Sequence, residues 1–230
     1  MAEVEMSFVE HLEELRKRIL ISISLVLIFS IASYFFVPDI IKFLTKPVGT
    51  RLVYLAPTEA FFTQLKVAFF SGLLLAFPFI IYQIWRFISP AFTENRQKFI
   101  SWLVPLSCLF FAGGLIFGYF VVVRFGLKFL MRFATDSLNP MFSLGKFISF
   151  VTGVMIPFGL IFQMPIIIIP LVKLNLIDHK FLKKQRKYVL LIIFILAAIL
   201  TPPDVISQVM MALPLILLYE VSIIWARIIE

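Results

Sequence analysis

Charge is scarce in this chain: 15% of its 230 residues are Asp, Glu, Lys or Arg, while 61% are hydrophobic. A soluble domain of this length needs far more polar surface, which excludes an ordinary water-soluble fold. Cysteine is nearly absent, and the single Cys108 rules out a disulfide within the chain. Histidine is almost as rare. His11 and His179 stand far apart, and neither belongs to a His/Glu metal pattern. A Gly-x-Ser-x-Gly elbow and a phosphate-binding loop are also missing. Catalysis, a metal and a cofactor therefore have no residues to rest on. No enzymatic activity is expected.

What the chain has in excess is apolar sequence in long blocks, with 28 Phe and a mean hydropathy of +1.03. Short polar stretches separate the blocks, the pattern of repeated membrane crossing rather than of one large core. The net charge is +8. Because much of that excess lies between the apolar blocks, it reads as topology information, and no nucleic-acid partner is expected.

Six blocks can be marked, at about 19–37, 61–85, 99–123, 147–172, 188–200 and 205–224. Each of the first four is long enough to cross ~30 Å of hydrocarbon at ~1.5 Å per residue. The first follows Arg16-Lys17-Arg18, as a signal peptide would. It is longer than a usual signal core and lacks a small-x-small exit, so it reads as a transmembrane helix. The fifth covers only about 20 Å by the same rise before Thr201-Pro202-Pro203-Asp204 interrupts it. A re-entrant half-helix is one reading of that block. The other, a short hairpin with the sixth block, keeps an even number of crossings and with it the charge pattern.

With six crossings both termini share a side. That side then holds thirteen of the 21 basic residues: three in 16–18, three in 86–98, six in 173–187, and Arg227. The other side holds Lys42, Lys46, Arg51, Lys66, Arg124, Lys128, Arg132 and Lys146. The bias puts both termini in the cytoplasm. The fold expected is an all-α integral membrane protein, a single domain over 1–230 with a short fifth/sixth hairpin.

Six prolines fall inside these blocks, Pro78, Pro105, Pro157, Pro165, Pro170 and Pro214, and each favours a kink. Gly114 and Gly118 form a G-x-x-x-G pair that lets a second helix approach closely. Ser7 and Glu10 have capping-box spacing, so a helix is expected to start near Ser7. Phe8, Leu12 and Leu15 share one face of that helix, which suits a segment lying at the membrane surface. Glu13–Lys17 and Glu14–Arg18 are i,i+4 pairs. Spacing alone asks no more of them than ~0.2–0.5 kcal/mol of helix support each.

Within the membrane, Gln163, Asp204, Gln208 and Glu220 stand out, because polar groups there face protein or water. Asp204 also suits the N-cap of the last span, and Glu220 lies near the edge of the bilayer. Gln163, deep in the fourth block, is the strongest interior candidate.

Several stretches together resemble the TatC family of twin-arginine protein translocases. The run His11-Leu12-Glu13-Glu14-Leu15-Arg16-Lys17-Arg18 resembles the family's N-terminal signature. Tyr82-Gln83-Ile84-Trp85-Arg86-Phe87-Ile88-Ser89-Pro90-Ala91 resembles its first cytoplasmic loop. Ser149-Phe150, Phe162-Gln163-Met164-Pro165, Arg186-Lys187-Tyr188 and Thr201-Pro202-Pro203-Asp204-Val205-Ile206-Ser207-Gln208 follow in family order, before Pro214 and Tyr219-Glu220. These matches cover nearly the whole chain.

The resemblance implies a multi-pass protein of the cytoplasmic (inner) membrane. It would receive signal peptides carrying two consecutive arginines and export folded proteins on the proton-motive force. It implies recognition by Glu14, Arg16, Phe87 and Pro90, with the apolar part of the signal entering a concavity that holds Gln163. Carboxylates suit that task because they offer paired hydrogen bonds to guanidinium groups. Self-association is also implied, and so are single-span TatA- and TatB-like partners lying against the short fifth and sixth spans.

Two positions depart from the pattern. Aligned without gaps from Phe87-Ile88-Ser89-Pro90, the family's second recognition glutamate falls at Arg96, and Glu94 is the nearest carboxylate. Glu94 is therefore expected to take its place. Gln163 stands where many members carry Glu, so an ionising relay is not expected at that position. Two other readings remain. A small-solute transporter or channel needs ionisable groups converging from repeated halves, and neither is present. A TatC-like protein with altered signal recognition is kept open by Arg96.

Overall fold

The computed structural model describes residues 8–48, 52–54, 56–91, 96–131, 142–200 and 205–229. Helices dominate: α1 (Phe8–Tyr34), α2 (Val37–Thr45), α3 (Pro57–Ile88), α4 (Arg96–Phe117), α5 (Arg124–Met131), α6 (Leu144–Ile161), α7 (Met164–Lys173), α8 (His179–Leu200) and α9 (Val205–Ile229). A lone backbone bridge, Val53 to Ser143, is the only strand-like pairing among the described residues. Large apolar side chains such as Ile28, Ile31, Leu109, Ile199 and Leu217 are exposed along the helices, as lipid-facing residues must be.

Among the described residues, four helical runs can cross a membrane by length and apolar content: Pro57–Ile88, Ser101–Phe129, Leu144–Lys173 and Met211–Ile229. A fifth arises from Val9–Tyr34 with Val37–Val48, bent by 83°. The expected block 19–37 therefore sits in a longer helix, which turns sharply at Phe35–Phe36. The block at 188–200 is the second part of the 22-residue α8, whose first part carries Lys180, Lys183, Lys184, Arg186 and Lys187. That charge dilutes its hydropathy. The hairpin turn at 201–204, and with it Asp204, lies outside the described residues, as does Ser7.

The chain divides into two compact units. The first comprises Met1–Ile40 and Gln64–Cys108. In it α1 and α3 touch at Gly72, where an added Cβ would lie 2.2 Å from Ser30 Oγ and 2.5 Å from Ser30 N. Only glycine permits that approach. Phe29 and Phe79 stack with centroids 5.6 Å apart. Trp85 Nε1 donates to Ser107 Oγ at 3.2 Å, tying α3 to α4 through a buried hydrogen bond.

The second unit comprises Ile41–Thr63 and Leu109–Glu230. Its core centres on α6, where Ile148, Val151, Val154 and Phe158 are fully buried. The Gly114–Gly118 pair lies against α6: a Cβ at Gly114 would meet Phe158 O at 2.5 Å, and one at Gly118 would meet Met155 Cα at 3.3 Å. The helix widens to a π-helical stretch over Gly118–Val123, where Tyr119 donates to Phe43 O at 2.6 Å. The Glu59 carboxylate accepts from Gly145 N at 2.8 Å and from the Ser143 hydroxyl, at the start of α6.

The prolines act unequally. Pro78, Pro105, Pro157, Pro170 and Pro214 remain inside helices. The fourth span instead breaks at Phe162–Gln163, one residue before α7 begins. Pro165, in the first turn of α7, has no N–H to donate, and its ring crowds the carbonyl of Ile161, the last residue of α6. The far end of α7 closes in a Schellman motif: Leu176 N donates to Leu171 O, with Asn175 at φ 55°.

Candidate functional site

In the first unit the polar face of α1 meets the end of α3. Helical spacing puts His11, Glu14 and Arg18 on one side of α1, one turn apart. Arg18 Nε donates to Glu14 Oε1 at 3.0 Å, and its Nη2 donates to the same oxygen. Its third nitrogen, Nη1, donates to Gln83 Oε1 of α3 at 2.9 Å. Arg18 thus fixes the carboxylate and links the two helices. The His11 ring stacks on Phe87, centroids 4.3 Å apart and planes 17° from parallel. Beyond Phe87 the chain enters a single 3-10 turn, Ser89–Ala91, which holds Pro90 half-buried. Ser89 Oγ donates to Arg86 O at 2.9 Å there.

This leaves one oxygen over. Glu14 Oε2 is buried and has no hydrogen-bond partner among the described residues. His11 Nδ1 lies 3.9 Å from it. A buried acceptor without a donor costs about 1–3 kcal/mol, more when charged. The geometry suits an incoming guanidinium, which supplies donors in a planar fork.

Glu13, Arg16 and Lys17 lie on another side of α1. With Leu20, Ile21, Ser24 and Leu25 they line an open groove of about 550 Å³, polar at one end and apolar at the other. Arg16 therefore borders this groove, while Arg18 is the arginine that holds Glu14. Glu94 lies outside the described residues, and Arg96 opens α4.

The intramembrane candidates belong to the second unit. Gln163 is buried at the break between α6 and α7, where its carbonyl accepts from Ile167 N at 3.0 Å. Gln208 Nε2 donates to Phe194 O at 3.1 Å, joining α9 to α8. Glu220 pairs with Arg186, again across α8 and α9, and the adjacent Tyr219 donates to Leu182 O at 2.6 Å. Gln208 and Glu220 are thus cross-helix ties, separated along α9 by more than three turns.

Sequence reasoning passed over Gln83 and the His11–Phe87 stack. All three residues lay inside recognised stretches, but nothing in the spacing of one helix reveals what a second helix brings to it. Glu59 was missed for the same reason.

The TatC family model, described as Sec-independent protein translocase protein, matches residues 10–214. A TatC of Carboxydothermus hydrogenoformans is 46% identical over 100% of this chain and 96% of its own. TatC of Aquifex aeolicus is 39% identical, covering 97% of this chain and 95% of its own. TatCy of Bacillus subtilis is 36% identical, covering 97% and 89%. A crystal structure of the twin-arginine translocase receptor TatC in the detergent DDM superposes with a TM-score of 0.85 at 39% identity, over 94% of this chain and 99% of that one.

Proposed function

The chain belongs to the TatC family of Sec-independent protein translocase proteins, and on that footing we propose that Glu14 is where it receives the arginines of a signal peptide. It is a multi-pass membrane protein of the twin-arginine translocase. The observation that carries the site is the buried Oε2 of Glu14, left without a donor beside the His11–Phe87 stack. One guanidinium donates to that oxygen. The half-buried Phe87 and Pro90 border the place where the residues next to the arginines lie.

Glu94 supplies the second carboxylate, standing in for the family glutamate whose position Arg96 occupies. Arg16 and Glu13 frame the polar end of the α1 groove. Gln163 offers an uncharged polar contact to the signal. Both termini face the cytoplasm, a reading that the excess of basic residues on that side supports. The chain works without catalysis of its own, self-associates, and joins single-span TatA- and TatB-like subunits.

The test is site-specific crosslinking in membranes. Photoreactive probes at Glu14, Phe87 and Glu94 are challenged with a twin-arginine signal peptide and with its two-lysine counterpart. Crosslinks that appear with arginine and vanish with lysine are expected. Equal labelling by both peptides, or none, would refute arginine recognition while leaving the family assignment intact. Replacing Glu94 by Ala without loss of peptide binding would remove that residue from the site.

A further inference from the structure

From the lysine-bearing face of α8 we infer that the chain holds an anionic phospholipid at a fixed place, independently of how Glu14 is read. Lys180, Lys183, Lys184 and Lys187 recur at helical spacing, and at about 100° per residue they fall within an arc of about 100°. All four side chains are exposed. The opposite side of α8 is the packed one, with Leu182, Ile193 and Ala197 buried. The stripe therefore points away from the body of its unit.

Among the described residues, nothing nearby neutralises it. The 22 residues of α8 include no carboxylate. Asp178, just before the helix, accepts from Phe181 N at 2.7 Å as a cap, and Glu220 is taken by Arg186. Among the described residues none of the four lysines is ion-paired. Lys187 Nζ sits 5.0 Å from the Tyr188 ring centre, an aromatic at the level where rings anchor helices in headgroups.

The same arc then turns apolar. Leu191, Phe194, Ile195 and Ala198 continue it, and all are exposed. From Lys187 to Ala198 the helix rises ~16 Å at ~1.5 Å per residue, about the depth of one leaflet of a ~30 Å hydrocarbon core. A single face thus presents a cationic zone followed by a leaflet's depth of apolar contact. A phospholipid with a negative headgroup matches both parts at once. An acidic segment of a soluble protein would match only the first.

The test uses the purified full chain in detergent, with bound lipids counted by native mass spectrometry during titration with phosphatidylglycerol or phosphatidylcholine. Near a charged surface each lysine contributes about a fivefold preference for anionic lipid. The parent protein is expected to prefer phosphatidylglycerol by about tenfold or more, the four contributions overlapping on one or two headgroups. Changing all four lysines to Gln should abolish the preference, and changing them to Arg should preserve it. The single K184E variant, a small change on an exposed surface, should reduce it severalfold. K42Q/K46Q, which removes two exposed lysines at the end of α2 and just beyond it, should leave it unchanged. A four-Gln protein that still prefers phosphatidylglycerol would overturn the inference and leave the stripe to an acidic protein partner. Equal loss from K42Q/K46Q would overturn it too, by showing that general charge alone is read.

Discussion

Arg18 divides the Glu14 carboxylate, and that division has a measurable consequence. Both of the donors that Arg18 turns toward Glu14 fall on Oε1, leaving Oε2 open. A signal-peptide arginine then gains one charge-assisted hydrogen bond rather than two, worth about 1.5–3 kcal/mol. Glu14→Gln keeps the shape and an acceptor for Arg18 but withdraws the charge. Peptide binding should weaken by about 10- to 100-fold, taking 1.4 kcal/mol per decade. Arg18→Gln works in the opposite direction. It frees Oε1, so the peptide guanidinium can engage both oxygens, a gain of about 1.5–3 kcal/mol. Against that, the released glutamate regains rotamer freedom that binding must remove, at up to about 2 kcal/mol. With that cost taken in full, the net expectation runs from about twofold weaker to about fivefold tighter binding. Fluorescence anisotropy of a labelled twin-arginine peptide, with each variant in lipid nanodiscs, measures both. If Arg18→Gln weakened binding as much as Glu14→Gln, the reasoning would be refuted: Arg18 would then be part of the receptor for the peptide and not a competitor for its carboxylate.

Other contacts give plainer expectations. Gly72→Ala and Gly114→Ala each push a methyl group to within 2.2–2.6 Å of α1 and 2.5–2.9 Å of α6 respectively. Each should destabilise by about 1–3 kcal/mol and lower the thermal unfolding midpoint in detergent, whereas Gly153→Ala, which meets nothing within 4 Å, should not. Glu59→Ala removes an acceptor from the first turn of α6 and should cost about 1–2 kcal/mol in the same assay. Arg186→Gln breaks a pair whose side chains are 44% and 31% exposed, so its cost should stay below about 1 kcal/mol. A loss as large as that of Gly72→Ala would show that this pair, and not the buried Tyr219–Leu182 bond, holds α8 to α9.

The apolar blocks were legible because lipid imposes length and composition on each crossing separately. Where neighbouring helices decide the outcome, the sequence was less informative. Gly114 and Gly118 announced a close approach through their spacing, and α6 occupies it. Gly72 makes an equally close approach without a partner glycine to mark it. Six internal prolines offered six equal kinks, yet the break falls at one of them. The other five stay within continuous helices, so a missing N–H alone does not break a span. The same limit governs the site. Glu14 and Arg18 could be paired from i,i+4 spacing, since one helix determines that contact. Gln83, which accepts from the third nitrogen of Arg18, could not, because its place depends on how α3 packs on α1. The Glu14–Arg18 contact is thus written in the local sequence, but the second tie of Arg18 comes from a residue 65 positions away.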